Sequence, residues 1–277
     1  MKDTDSRELM ELTFKVAGQT AGFLRDLTEI EGLGEVVGVQ PLGDTTRRID
    51  IVAEEYLVDL LKNEGINAVI VTEESGIIKI GLGSPEYLFI IDPLDGSSNY
   101  LSNIPWSAVS VAVAIYGKCN SLDCVIAGTI APIHTGMPIS FAKGYGVFKG
   151  NSRVNPSMYS VKDMVLGYFD YGKGTKILDE LLRSWSNVKV RSLGCASLEI
   201  TYVALGYADA FIDVRGWLRN VDIVAAIGIA KELNAWVTNT RGERLNIPIN
   251  RIVKVGELLV ARNENILKRI LDITRKY

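Results

Sequence analysis

The chain has 277 residues, 47% hydrophobic and 23% charged, an ordinary globular composition with enough length for one large domain or two intimately packed ones. With 30 basic and 33 acidic residues the net charge is −3, so there is no basic surplus to meet nucleic acid or an anionic membrane. No apolar run approaches the roughly 18 residues that span a bilayer. The polar, acidic start does not read as a signal peptide, and three cysteines without a CxxC pair are expected of reduced thiols in the cytoplasm.

Residues 6–27 carry Leu9, Leu12, Val16, Phe23 and Leu27 near helical spacing and predict an amphipathic helix. The glycine-rich stretch 31–38 contains GxG without the GxGxxG spacing and has no strand before it. It reads as a mobile loop, and the glycines of 32–43 would let it close over a site. Asp44-Thr45-Thr46 is expected to cap a second helix that runs to Asn63, with Gly65 ending it. Ala68–Val71 predicts a short strand that delivers Thr72-Glu73-Glu74-Ser75-Gly76. Tyr87–Ile91 predicts a buried strand that stops where Asp92-Pro93 can no longer join a ladder.

The runs 108–116 and 124–130 predict a hairpin, followed by strands near 139–142, 146–149 and 165–169. From a helix near 176–184 onward the pattern alternates. Strands are expected at 188–190, 210–212, 235–238 and 258–261, and helices at 196–205, 221–233 and 263–274. The helix 221–233 is so apolar that it should be buried. Residues 1–160 read as α+β and 161–277 as α/β, together one compact unit of stacked helix and sheet layers.

Four acids stand at element ends. Asp92 and Asp95 lie three apart on a turn, and Gly96, Ser97 and Ser98 then offer backbone N–H groups at a helix start. Glu73 follows a strand just as Asp92 does, and Asp222 sits in the first turn of the apolar helix. Singly, each has a mundane reading: an early-turn acid on a helix dipole for Asp222, a solvated face for Asp50. Converging, Glu73, Asp92, Asp95 and Asp222 would stay ionised only with divalent cations among them, and an all-oxygen set favours Mg²⁺ or Mn²⁺ over Zn²⁺. The one histidine, His134, cannot build a His-based zinc site. There is no Cys-x5-Arg loop, and the run 167–174 misses the P-loop pattern at Gly174.

Asp92-Pro93-Leu94-Asp95-Gly96-Ser97-Ser98-Asn99, the preceding Glu73-Glu74-Ser75-Gly76 and the later Val221-Asp222-Ile223-Val224-Ala225-Ala226 resemble the inositol monophosphatase superfamily over the whole chain. Thr46-Arg47-Arg48-Ile49-Asp50 and the run Asp213–Asp222 are most similar to its archaeal dual fructose-1,6-bisphosphatase/inositol-1-monophosphatase branch. The resemblance implies a layered αβαβα sugar-phosphatase fold, usually a homodimer, with two or three Mg²⁺ ions. One metal would rest on Glu73, Asp92 and the Leu94 carbonyl, a second on Asp92, Asp95 and Asp222, and a weaker third near Glu73 and Asp50. Ser97 stands where many members have Thr, and Val221 where many have Trp.

The reaction expected is hydrolysis of a small phosphorylated sugar or polyol by a metal-activated water. Ser97, with Glu73 or Asp50, would orient the water and take its proton. Gly96, Ser97 and Ser98 would hold the phosphate. On the substrate side, Asp213 could accept sugar hydroxyls. Arg191 could fork onto a second phosphate, and Tyr168, Tyr171 and Lys173 are further candidates there. Competing readings are a phosphatase for 3′-phosphoadenosine 5′-phosphate or NADP, and a non-catalytic phosphosugar sensor on the same fold.

Overall fold

The computed structural model describes residues 6–27, 32–39, 45–134, 136–156, 163–170 and 172–277. Helix α1 (Ser6–Asp26) buries Leu9, Val16, Ala17, Ala21 and Leu24 along one stripe, and Phe23 stacks on Tyr56 with ring centroids 4.0 Å apart. Next come β1 (Val36–Val39) and β2 (Thr45–Arg47), which pair antiparallel. This corrects two expectations, the loop over 31–38 and the cap at 44–46. The β-branched residues Val36, Val37, Thr45 and Thr46 suit a ladder better than a loop or cap. Asp44 lies outside the described residues. Helix α2 (Arg48–Asn63) starts later, where the Asp50 carboxylate accepts a hydrogen bond from the Arg47 N–H at 2.9 Å. Gly65, at φ 69°, turns the chain out of it.

Strands β3 (Ala68–Thr72), β4 (Gly76–Ile80) and β5 (Tyr87–Asp95) follow, and β4 was not foreseen. Strand β5 also outruns its expected end. Asp92 pairs with Ser110 and Asp95 with Ala108, leaving two residues, Pro93 and Leu94, against the one Val109, so Pro93 sits in a bulge where no ladder N–H is required. One turn of helix, α3 (Ser97–Leu101), precedes the expected hairpin β6 (Ala108–Ile115) and β7 (Val125–Pro132), then β8 (Ile139–Ala142), β9 (Gly146–Lys149) and β10 (Ser152–Arg153). These eight strands form one sheet in the order β10-β9-β8-β7-β6-β5-β3-β4, in which β3 and β5 are the parallel neighbours.

The remaining elements are β11 (Met164–Tyr168), α4 (Gly174–Ser184), β12 (Lys189–Arg191), α5 (Ala196–Ala204), β13 (Ala210–Asp213), α6 (Asn220–Glu232), β14 (Trp236–Thr238), β15 (Leu258–Ala261) and α7 (Glu264–Thr274). Their strands make a second sheet, β12-β11-β13-β15-β14. Side chains alternate across β5. Phe89 and Ile91 pack under α1 and α2, while Leu88 and Ile90 face α5 and α6. Helices α5 and α6 are sandwiched between the two sheets, and α4 and α7 cover the far face of the small sheet around Trp185. The stack is therefore αβαβα, as expected.

Cys119 and Cys124 face each other across the loop that enters β7, with Cα atoms 5.9 Å apart, a separation that would allow a disulfide, and Cys195 is free and buried. That loop is tied to the distant segment 249–250 by Asn120, whose side-chain oxygen accepts the N–H groups of Ile249 and Asn250. Among the described residues, no helix is long and apolar enough to cross a membrane.

Candidate active site and metal centre

Because β3 and β5 run parallel in register, ending on the pair Thr72 and Ile91, the residues after that pair emerge side by side. These are Glu73 and Asp92. The turn that presents Glu73 is held from below by Glu54 of α2, which is 4% exposed. Its Oε2 accepts Thr72 Oγ1 at 2.5 Å and the N–H groups of Glu74 (3.1 Å) and Ser75 (3.3 Å), and its Oε1 accepts the Ser75 hydroxyl. Thr46 donates its hydroxyl to Glu74 Oε2 at 2.5 Å. Asp50 and Glu54 are four apart on α2, so one face of its first turns organises this edge of the site, with Thr46 joining from β2.

Asp222 comes from α6, where it accepts the Arg219 N–H at 2.8 Å and so repeats the arrangement of Asp50 on α2. One carboxylate oxygen from each of Glu73, Asp92 and Asp222 lies within 4.8 Å of the others. The Arg219 guanidinium closes over two of them, with Nη1 2.6 Å from Glu73 Oε1 and Nε 3.3 Å from Asp222 Oδ1. Asp50, Glu73, Asp92, Leu94, Ser97 and Arg219 line a cleft of about 70 Å³. Ser97 lies beside Asp50 in this cleft, where its hydroxyl favours the charged carboxylate.

Asp95 turns one carboxylate oxygen onto the loop before α5. Its Oδ2 accepts Ser197 N–H at 2.7 Å and the Cys195 thiol at 3.2 Å. That loop hangs on the buried Glu199, which accepts Leu193 N–H (3.1 Å), Cys195 N–H (3.3 Å) and the Tyr168 hydroxyl (2.5 Å). Gly96 has to be glycine. Its φ is 84°, and a Cβ there would stand 3.0 Å from the Trp106 carbonyl and 3.1 Å from that of Gly194. The first turn of α3 starts from it, with the Ser97 and Ser98 N–H groups at the head.

The electrostatics are those of a cation site. Burial first, and then the charges of Glu73, Asp95 and Asp222, push Asp92 well above the usual carboxylate range. Burial raises Asp222 to about 7, with Arg219 opposing and Glu73 and Asp95 adding to the rise. Asp50 rises to about 6, chiefly through burial, and Asp95 is also raised by burial. Burial works against the Arg219 charge, but Asp222, Glu73 and Asp92 outweigh it. Asp222 Oδ1 is buried with no hydrogen-bond partner among the described residues. A buried carboxylate oxygen that has the Arg219 ion pair but no hydrogen bond, amid other raised carboxylates, fits a hard divalent cation.

The substrate-side candidates are placed less uniformly. Asp213 ends β13 fully buried, with Oδ1 accepting the Arg215 N–H and Nε at 3.0 Å each. Tyr168 pairs beside it on β11, but its hydroxyl is committed to Glu199 and its ring lies 4.1 Å under the Arg215 guanidinium. It therefore faces a buried carboxylate rather than a substrate phosphate, which corrects that expectation. Lys173 is ion-paired with Glu257. Arg191 is exposed on the edge strand β12 and donates to the Val190 carbonyl. Tyr171 lies outside the described residues. None of Arg191, Tyr168 and Lys173 lines the acidic cleft.

Sequence reading missed Glu54, Glu199 and Arg219. One signal was available: Arg-x-x-Asp opens both α2 (Arg47, Asp50) and α6 (Arg219, Asp222).

Comparison with known proteins places these features in a group. The model of the inositol monophosphatase family matches residues 5–277. An inositol-1-monophosphatase of Aeropyrum pernix is 37% identical over 265 residues, covering 94% of this chain and 95% of that one. A fructose-1,6-bisphosphatase/inositol-1-monophosphatase of Methanothermobacter thermautotrophicus is 34% identical, covering 94% of each. The crystal structure of an inositol monophosphatase–fructose 1,6 bisphosphatase superposes with a TM-score of 0.75 at 28% identity, covering 95% of this chain and 98% of that one.

Proposed function

Because this chain belongs to the inositol monophosphatase family, we propose that it hydrolyses fructose 1,6-bisphosphate to fructose 6-phosphate and inositol 1-phosphate to inositol, using Mg²⁺. It is a phosphoric monoester hydrolase. The observation that carries the reading is the meeting of Glu73, Asp92 and Asp222 within 4.8 Å beside the Ser97–Asp50 pair.

Glu73, Asp92, Asp222, Asp95 and the Leu94 carbonyl are the groups that would hold the cations. Bound there, Mg²⁺ supplies positive charge to the phosphoryl oxygens and makes an attacking water more acidic at neutral pH. The chain's own residues do the rest. Asp50, which lines the cleft beside Ser97, receives the water's proton through or beside that hydroxyl, with Glu73 adjacent. The Gly96, Ser97 and Ser98 N–H groups hold the phosphate at the head of α3. The phosphorus–oxygen bond to the sugar breaks as water adds to phosphorus, and no covalent bond to the protein forms. Asp213 orients sugar hydroxyls. In the same reading the protein works in the cytoplasm as a homodimer.

The test is phosphate release with Mg²⁺ from fructose 1,6-bisphosphate, inositol 1-phosphate, NADP and 3′-phosphoadenosine 5′-phosphate at matched concentrations, with an EDTA control. We expect release from the sugar and polyol esters that EDTA abolishes. Turnover confined to the nucleotides would reassign the substrate, and no release from any of the four would leave the phosphosugar-sensor reading.

A further inference from the structure

The cleft holds a cation already. Among the described residues that line it, Arg219 is the sole basic side chain, and at 12% exposure its charge is removed from water together with its partners. The guanidinium reaches two of the three clustered carboxylates, Glu73 at 2.6 Å and Asp222 at 3.3 Å. The third, Asp92, contributes to its raised basicity. Three carboxylates this close, two of them buried, need a compensating positive charge. One guanidinium provides a single positive charge, spread over a plane, on a stem that can swing. A divalent ion provides twice that charge at a point and takes oxygen ligands in a tighter shell.

We propose that Arg219 is the resident counter-cation of this site. In the metal-free protein it holds Glu73 and Asp222 in a ligand-ready arrangement, and it must release them for a divalent cation to bind. Arg219 thus acts on the metal as a competitor, which sets the affinity and keeps the empty site from flying apart. It is a positioning residue, not a catalytic one. The inference rests on the metal-binding reading of the site and adds a sign to it: removing Arg219 strengthens metal binding, whereas removing an ordinary structural support weakens it.

The experiment is calorimetric titration of substrate-free protein with MgCl₂, for the wild type, Arg219→Gln and Arg219→Lys, alongside metal-free melting curves. Removing one charge a few ångströms from the ion should tighten Mg²⁺ binding by about tenfold or more in R219Q. The same change should lower the metal-free melting temperature, so that Mg²⁺ produces a larger thermal shift. R219K should lie near the wild type on both measures. Unchanged or weaker Mg²⁺ binding in R219Q overturns the proposal and leaves Arg219 a structural clamp. If R219Q does not fold without metal, the wild type decides: the Arg219 Nε–H resonance, identified by its absence in R219K, should move when Mg²⁺ saturates the site, and a resonance that stays put overturns the proposal. A wild type that binds no Mg²⁺ overturns the metal reading and this inference together, an outcome distinct from normal wild-type binding with no gain in R219Q.

Discussion

Asp50 and Asp222 both leave the usual carboxylate range because burial penalises their charge, reaching about 6 and about 7 from 3.8. An acid whose folded pKa lies above its unfolded value adds stability that is complete below the unfolded pKa. That stability is lost as pH rises through the folded one. For these two groups the loss runs from about pH 4 to just above about pH 7. The EDTA-treated protein should therefore melt at a higher temperature near pH 5 than near about pH 8. Saturating Mg²⁺ should oppose the trend, because the ionised carboxylates that destabilise the empty site are the form that binds the cation. Melting curves across pH with and without Mg²⁺ check this, and a flat EDTA series would mean that the burial is relieved by water or motion. Asp92 and Asp95 were legible in the sequence because they stand at a strand end beside Pro93, Gly96 and the serines, and Asp222 because it opens an apolar helix. Glu54, Glu199 and Arg219 were not, since a charged residue on a helix reads as solvated until the partner that buries it is known.

At the scale of elements, α2 does more for the site than its own acid at position 50 suggests. Glu54 ties Thr72, Glu74 and Ser75 into the turn that carries Glu73, so the ligand's position depends on a helix some twenty residues upstream. Glu54→Gln would set an amide N–H₂ against groups that are all donors. With buried donors left unsatisfied, we expect a loss of about 1–3 kcal/mol in denaturant unfolding. Mg²⁺ affinity should weaken too, while the exposed neighbour Glu55→Gln should behave as wild type. Normal Mg²⁺ affinity in E54Q would show that Glu73 is held without this turn. Helix positions and the β6–β7 hairpin were readable from period alone. The short β1–β2 pair and β4 were not, because pairing partners brought from elsewhere decide such segments. Pro93 was read as a stop, yet the bulge lets β5 continue past it and sets Asp92 and Asp95 at different angles to the cleft.

The whole molecule is organised around α6. It is apolar on all sides, which in the sequence already marked a buried helix, and it lies between the two sheets with Asp222 at its first turn. Its approach to the large sheet depends on Gly228, where an added Cβ would run into the Phe141 ring of β8. Phe141 is itself fully packed, at 2% exposure, so neither partner can yield without shifting a layer. Gly228→Ala should therefore destabilise the protein by about 1–3 kcal/mol, although alanine is the better helix former. The same displacement would move Asp222 against Glu73 and Asp92, which reach the site on the sheet. Mg²⁺ affinity should fall with stability, and Phe141→Leu, which opens room beside the new methyl, should recover part of both. Denaturant unfolding and Mg²⁺ titration of the single and double variants measure this coupling. A G228A protein with lowered stability and unchanged Mg²⁺ affinity would mean that the first turn of α6 is held by Arg219 and its neighbours independently of how the rest of the helix is packed.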